Sequence, residues 1–422
     1  MGQSMQSMDA RSDAPETALG QGGGLVLAAI SLAYVALGMV LGFVQGGVAP
    51  VLRAQGVELS ALRWVYALYL PFGLAFLWAP MVDSWRWPWL GRRTGWILPM
   101  QGLSVLALGA IAFVQPAPGA WALLLALGLL ATVAAATVDV ALDALTVDMV
   151  PQAQRAAAAG AKMGGISLGA VLGGGALVAW YPQLGWQGAL WLIAAAAALA
   201  CLPVLALVGP EQQHRLPLLV QRARLLQTLR KPAMGRRLLR LSLLVCSLLA
   251  LFNFNRLLLL DMGVPLARIG SLLGVVAPLA NAAACFLAPL LLRRMPVRRA
   301  AWLCAGLCLA SACLVWLGCL QAHTGLVITG SILTTAAAAA LYVVLGGLML
   351  EWATGDQAAT DYALLYGLGR FIGTAALMAL PGVIQSIGWP LFQGLVVLGF
   401  AASASYFLRL FPKAERGQVA GL

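Results

Sequence analysis

Two carboxylates one helical turn apart, Asp139 and Asp143, stand inside a long apolar run at 120–147. On insertion scales each intramembrane carboxylate costs about 2.5–3.5 kcal/mol, so retaining two points to function. Four residues apart, they share one helix face. In a low dielectric they resist ionising together, which suits a group that takes up and releases a proton. Asp148 lies about half a turn round the same helix from Asp139. It falls near the end of the run, where Arg92, Arg93 or Arg155 are the expected partners.

Further charges interrupt other apolar runs. Arg256 is in the seventh run, Arg370 is in the eleventh beside Gly367, Gly369 and Gly373, and Lys162 is near the start of the fifth. A cation facing a central cavity attracts an anionic solute; the alternative is a partner for Asp139, Asp143 or Glu351. Asn253, Asn255 and Gln45 are weaker cavity candidates. The loop after the second run carries Asp83 and then the basic pair Arg92-Arg93. Asp83 can face the positive N-terminus of a neighbouring helix. Arg92 and Arg93 can pair with a carboxylate across the bundle. Such contacts hold one side of a two-bundle protein closed and break on opening.

These residues need a membrane to position them. Of 422 residues, 62% are hydrophobic and 9% charged, whereas a soluble protein is typically about 25% charged. Twelve apolar runs fall along the chain, and lipid offers backbone groups no partners, so each run is expected to be helical. A β-barrel is excluded by the absence of period-2 alternation. The expectation is an all-α membrane protein with twelve transmembrane helices in two six-helix bundles. The segments are a polar N-terminal stretch 1–24, a first bundle 25–208, a basic linker 209–240, a second bundle 241–410 and a tail 411–422. A weak repeat joins the bundles: 203 residues separate Asp148 from Glu351, Gly164 from Gly367 and Arg53 from Arg256.

The net charge of +12 reads as membrane orientation and not as nucleic-acid binding. With both termini in the cytoplasm, Arg86, Arg92, Arg93, Arg155, the linker, Arg293, Arg294, Arg298 and Arg299 lie inside. Only Arg53, Arg63 and Arg268 fall in outer loops. That asymmetry obeys the positive-inside rule. The seven cysteines lie in or beside apolar runs without CxxC spacing and read as small core residues. No P-loop, Ser/His/Asp set or metal cluster is present, so the chain is expected to be neither an enzyme nor an ATPase, and no cofactor or metal is expected. Its partners are a small organic solute, protons and membrane lipid, and a monomer is expected. A non-transporting scaffold or sensor is the alternative from another class, but it gains nothing from buried carboxylates.

The stretch from Phe76-Leu77-Trp78-Ala79-Pro80-Met81-Val82-Asp83 through Gly91-Arg92-Arg93-Thr94-Gly95-Trp96 resembles the signature loop of the major facilitator superfamily, in its muropeptide-permease-like (AmpG-like) branch. Asp139-Val140-Ala141-Leu142-Asp143-Ala144 resembles the same branch. The chain departs from it at Val138, Leu145 and Thr146 and lacks room for the two additional spans of some muropeptide permeases. It is more similar to the shorter siderophore importers of the pyochelin and rhizobactin type (RhtX/FptX-like). That resemblance implies import of an iron–siderophore complex across the bacterial inner membrane, with muropeptide or another organic solute as the alternative.

Overall fold

In the computed structural model, residues 22–85, 87, 89–116, 118–150, 155–213, 234–352 and 358–409 are described. Among them every regular element is helical. The expected N-terminal segment and tail fall outside the described residues, apart from Gly22–Gly24. So does most of the basic linker, including Arg215, Arg222, Arg224, Arg230 and Lys231.

Among the described residues ten helices are long and apolar enough to cross a bilayer, from Leu25–Gly46 to Trp389–Leu408. Their outer faces are apolar: Leu106 is 72% exposed and Phe113 71%. In water that arrangement would be an extended sticky surface, whereas in lipid it is the preferred one. The fifth run yields a shorter apolar helix, Gly164–Ala179. The second run is not one helix. Residues 59–84 divide into the short pieces Leu59–Leu62, Arg63–Ala67, Leu70–Leu74, Ala75–Leu77 and Ala79–Ser84. Pro71 and Pro80 each open a new piece, because proline has no N–H to continue the preceding turn.

The halves have matching layouts. Val297 follows Thr94, Thr324 follows Trp121 and Ala358 follows Arg155 by the same 203 residues, and each of these residues begins a helix. In the first half the Gly22–Gly46 helix packs along Arg155–Val171. Small residues permit the close approach: a Cβ on Gly165 would lie 2.8 Å from the Ser31 carbonyl oxygen and 2.9 Å from Tyr34 Cβ. This seam sets the Tyr34 side chain beside Lys162, less than one turn before Gly165.

Between halves, residues 59–77 pack on Ala358–Ile387, most densely over 59–74. The helical turns 172–179 pack on 266–276. Both of the latter stretches contain a π-helical turn, Leu172–Ala176 and Leu272–Val276. Gly175 and Gly274 cross there, and a Cβ on either would strike the other's main chain.

Candidate functional site

Asp139 and Asp143 lie on the Trp121–Met149 helix, as their spacing requires, and they converge on one cation. Lys162 Nζ is 2.5 and 2.6 Å from the two Asp143 oxygens and 3.3 Å from Asp139 Oδ1. The Tyr34 hydroxyl donates to Asp143 Oδ1 at 2.6 Å. Lys162 Nζ also sits 5.3 Å from the Tyr34 ring centroid, a cation–π contact. Of the two carboxylates Asp143 is the more open, with its side chain 51% exposed against 30% for Asp139. Protein atoms therefore cover neither carboxylate completely. Two carboxylates and one ammonium leave one negative charge, which one proton would neutralise. Arg370, on the helix from the other half, is within electrostatic range of Asp139. It lies next to Phe371, whose Cα is 3.1 Å from where a Cβ on Gly73 would be.

The other cation, Arg256, is used differently. Its Nη1 donates to the carbonyls of Gly46 and, at 2.9 Å, Gly174. Its Nη2 donates to Leu273 O at 2.8 Å. Three helices from both halves thus share one guanidinium. Gly174 and Leu273 belong to the two π-helical turns, where the ordinary carbonyl ladder is interrupted. Nearby, Arg53 Nε donates to Asp261 Oδ1 at 2.8 Å, and Trp389 Nε1 donates to Asp261 Oδ2 at 2.9 Å. Gln385 Oε1 accepts from the Ser60 backbone N–H at 3.0 Å. Between these polar contacts runs an aromatic row. Tyr66 and Phe254 are 5.1 Å apart, and Phe254 and Phe392 are 5.6 Å apart. The Arg53–Asp261, Ser60–Gln385 and Tyr66–Phe254 contacts, with Arg256, fasten the halves together at the Arg53 end of the bundle.

The remaining candidates scatter. Asn255 is buried and 3.5 Å from Gln393 Nε2, within the second half. Asn253 Nδ2 donates to its own helix at Leu249 O, 2.8 Å away. Gln45 is exposed near the Gly47 break. The side chains of Asp83 and Glu351 lie outside the described residues, as does that of Arg155.

At the opposite end, Arg93 is 5% exposed and its Nε donates to Asp148 Oδ2 at 2.9 Å. Arg92 is half-buried in the same turn. Glu211, which sequence reasoning did not single out, completes this network. It accepts from Arg93 N at 2.5 Å, from Thr94 N at 3.0 Å and from Thr94 Oγ1 at 2.7 Å. A carboxylate thus caps the N-terminus of the Thr94–Phe113 helix, where free N–H groups and the helix dipole favour negative charge. Its only sequence trace is a lone acid just after the sixth apolar run. Glu211→Ala leaves buried donors unpaired and lowers stability by about 2–4 kcal/mol. Tryptophan-monitored thermal unfolding in detergent reads this as a lower Tm, and an unchanged Tm would count against the cap. Tyr34 was also not singled out, since nothing in its neighbourhood marks a residue that meets Asp143 across the bundle.

Comparison with known proteins agrees with this fold. Residues 26–375 match the model of the Major Facilitator Superfamily. The anhydromuropeptide permease of Escherichia coli (strain K12) is 30% identical over 185 residues, 43% of this chain and 37% of the permease. The putative transporter AmpG 4 of Rickettsia felis is 29% identical over 147 residues, 33% of this chain and 34% of that one. The chain thus spans little more than a third of the length of these curated relatives. The crystal structure of the nucleoside transporter NupG superposes with TM-score 0.72 at 12% identity, covering 92% of this chain and all of that one. A bacterial homologue of the human lysosomal transporter Spinster, in an inward-facing and unoccupied conformation, gives 0.60 at 16% identity, covering 92% and 94%. The chain is a multi-pass membrane protein and belongs to the Major Facilitator Superfamily.

Proposed function

We propose that the protein imports an organic solute of the muropeptide kind across the bacterial inner membrane and that protons drive it. The observation that carries this reading is the half-open Asp139–Asp143–Lys162–Tyr34 cluster, with Arg370 of the other half within electrostatic range of Asp139. The cluster's net negative charge attracts either a proton or the guanidinium across the seam. Proton binding and the approach of the second half then compete for the same carboxylates. That competition links protonation to the movement of one bundle against the other.

The Arg53 end is proposed as the periplasmic gate, with Arg256, the Arg53–Asp261 pair and the aromatic row as its fastenings. Arg93, Asp148 and Glu211 then lie at the cytoplasmic end, with Asp83 and Arg92 in the same loop, and both termini are cytoplasmic. This orientation follows the clustering of basic residues at that end. Residues 25–208 and 241–410 move as the two bundles, joined by 209–240.

For the solute, the curated relatives named above are an anhydromuropeptide permease and a putative AmpG transporter. They favour the muropeptide alternative over the iron–siderophore expectation, for which no named relative speaks. Expression in a strain lacking its own muropeptide permease tests this. Recovery of labelled anhydromuropeptide uptake is expected. Uptake of a ferri-siderophore with no muropeptide uptake would reverse the choice.

A further inference from the structure

A cavity of about 340 Å³ is lined entirely by residues of the first half. Its walls include Phe43, Leu68, Leu108, Trp121, Leu125 and Trp186, from five separate stretches of the half. Thr132 lines it too, about two turns along the helix from Asp139, so the cavity is distinct from the carboxylate cluster. We propose that this cavity is a lipid site, holding one acyl chain of an anionic phospholipid whose phosphate rests at Arg63.

The wall chemistry selects the occupant. Trp186 Nε1 already donates to Ile111 O at 3.2 Å and Val114 O at 3.0 Å. Thr132 Oγ1 donates within its own helix, to Gly128 O at 3.0 Å and Leu129 O at 3.2 Å. A sugar or peptide entering here would be desolvated without finding partners. Water gains nothing in such an apolar space, and an empty one forfeits the dispersion contacts of its lining. In a bilayer the apolar material at hand is the acyl chain. The head end is marked as well. Trp64 lines the cavity yet is 48% exposed, and the Arg63 guanidinium stacks over its ring at 5.4 Å. An amphipathic indole and an exposed guanidinium together suit the level of lipid headgroups, and the guanidinium pairs well with phosphate. Bound there, the chain braces the two helices that carry Tyr34 and Asp143 and keeps the first half rigid while it moves. The site does not depend on which solute is carried.

The test uses the full-length protein in nanodiscs containing phosphatidylglycerol with a mid-chain diazirine. After illumination, label is expected on peptides covering 61–68 and 121–132, above the level on the lipid-facing Trp389–Leu408 helix. Leu124 also lines the cavity, and Leu124→Trp, which fills it, is expected to cut that label about tenfold. Arg63→Gln leaves the walls intact and is expected to reduce the preference for phosphatidylglycerol over phosphatidylcholine about fivefold. Even labelling of all exposed helices would overturn the proposal, as would an undiminished yield in a folded Leu124→Trp protein or an unchanged lipid preference in Arg63→Gln. Protection of these peptides by anhydromuropeptide would assign the cavity to the solute instead.

Discussion

Replacing Asp143 with asparagine abolishes uphill uptake in proteoliposomes while solute exchange at equal concentrations continues. Asparagine keeps the volume of the side chain and can still accept from Tyr34, so the helix contacts survive. What it loses is the negative charge paired with Lys162 and the ability to release and take up a proton. A gradient of one pH unit supplies about 1.4 kcal/mol per proton, or about tenfold in concentration for one proton per solute. The wild type should therefore approach tenfold accumulation for each such unit, and Asp143→Asn should stop near an internal-to-external ratio of one. Asp139→Asn should have the smaller effect, because Asp139 meets Lys162 at 3.3 Å and is the less exposed of the two. Accumulation by Asp143→Asn at the wild-type level would remove this residue from the coupling step.

The second large effect is expected at the glycine crossing. Gly274→Leu places a side chain against the Gly174–Gly175 main chain, where no flexible neighbour can give way. Overpacking typically costs 1–3 kcal/mol, so the population closed at the Arg53 end should fall roughly 5- to 150-fold. Closure can be read with a short bis-maleimide across Arg53→Cys and Asp261→Cys, in a background where the seven native cysteines are replaced. Cross-linking should be efficient with Gly274 and weak with leucine. Unlike Asp143→Asn, this variant should lose exchange as well as accumulation, since both need the gate to close. Arg256→Gln should weaken closure in the same direction but less, because it removes donors to Gly46, Gly174 and Leu273 without introducing a clash. Normal exchange by Gly274→Leu would show that the crossing is not part of the gate.

The sequence carried the helices and the acid pair for a simple reason. A bilayer admits only one backbone solution for a long apolar run, and four-residue spacing fixes a shared face whatever the neighbours are. It did not carry the breaks at Pro71 and Pro80, because apolarity averaged over 63–82 does not register where a helix restarts. Nor did it choose between the two readings of the buried cations. Lys162 became a carboxylate partner because the Gly165 seam sets its helix against Gly22–Gly46, and Arg256 a carbonyl partner because two π-helical turns meet beside it. Both outcomes depend on how helices cross, which pattern along one helix cannot encode. Glu211 escaped notice for the same reason, since its contacts with Arg93 and Thr94 span more than a hundred residues of chain.

The central claim is that solute and proton cross together through the Asp139–Asp143–Lys162 cluster. Purified wild-type protein in vesicles loaded with a pH-sensitive dye reads it directly. Adding anhydromuropeptide outside should acidify the lumen, and the signal should vanish with Asp143→Asn. Entry of the solute with no change in internal pH would contradict the account.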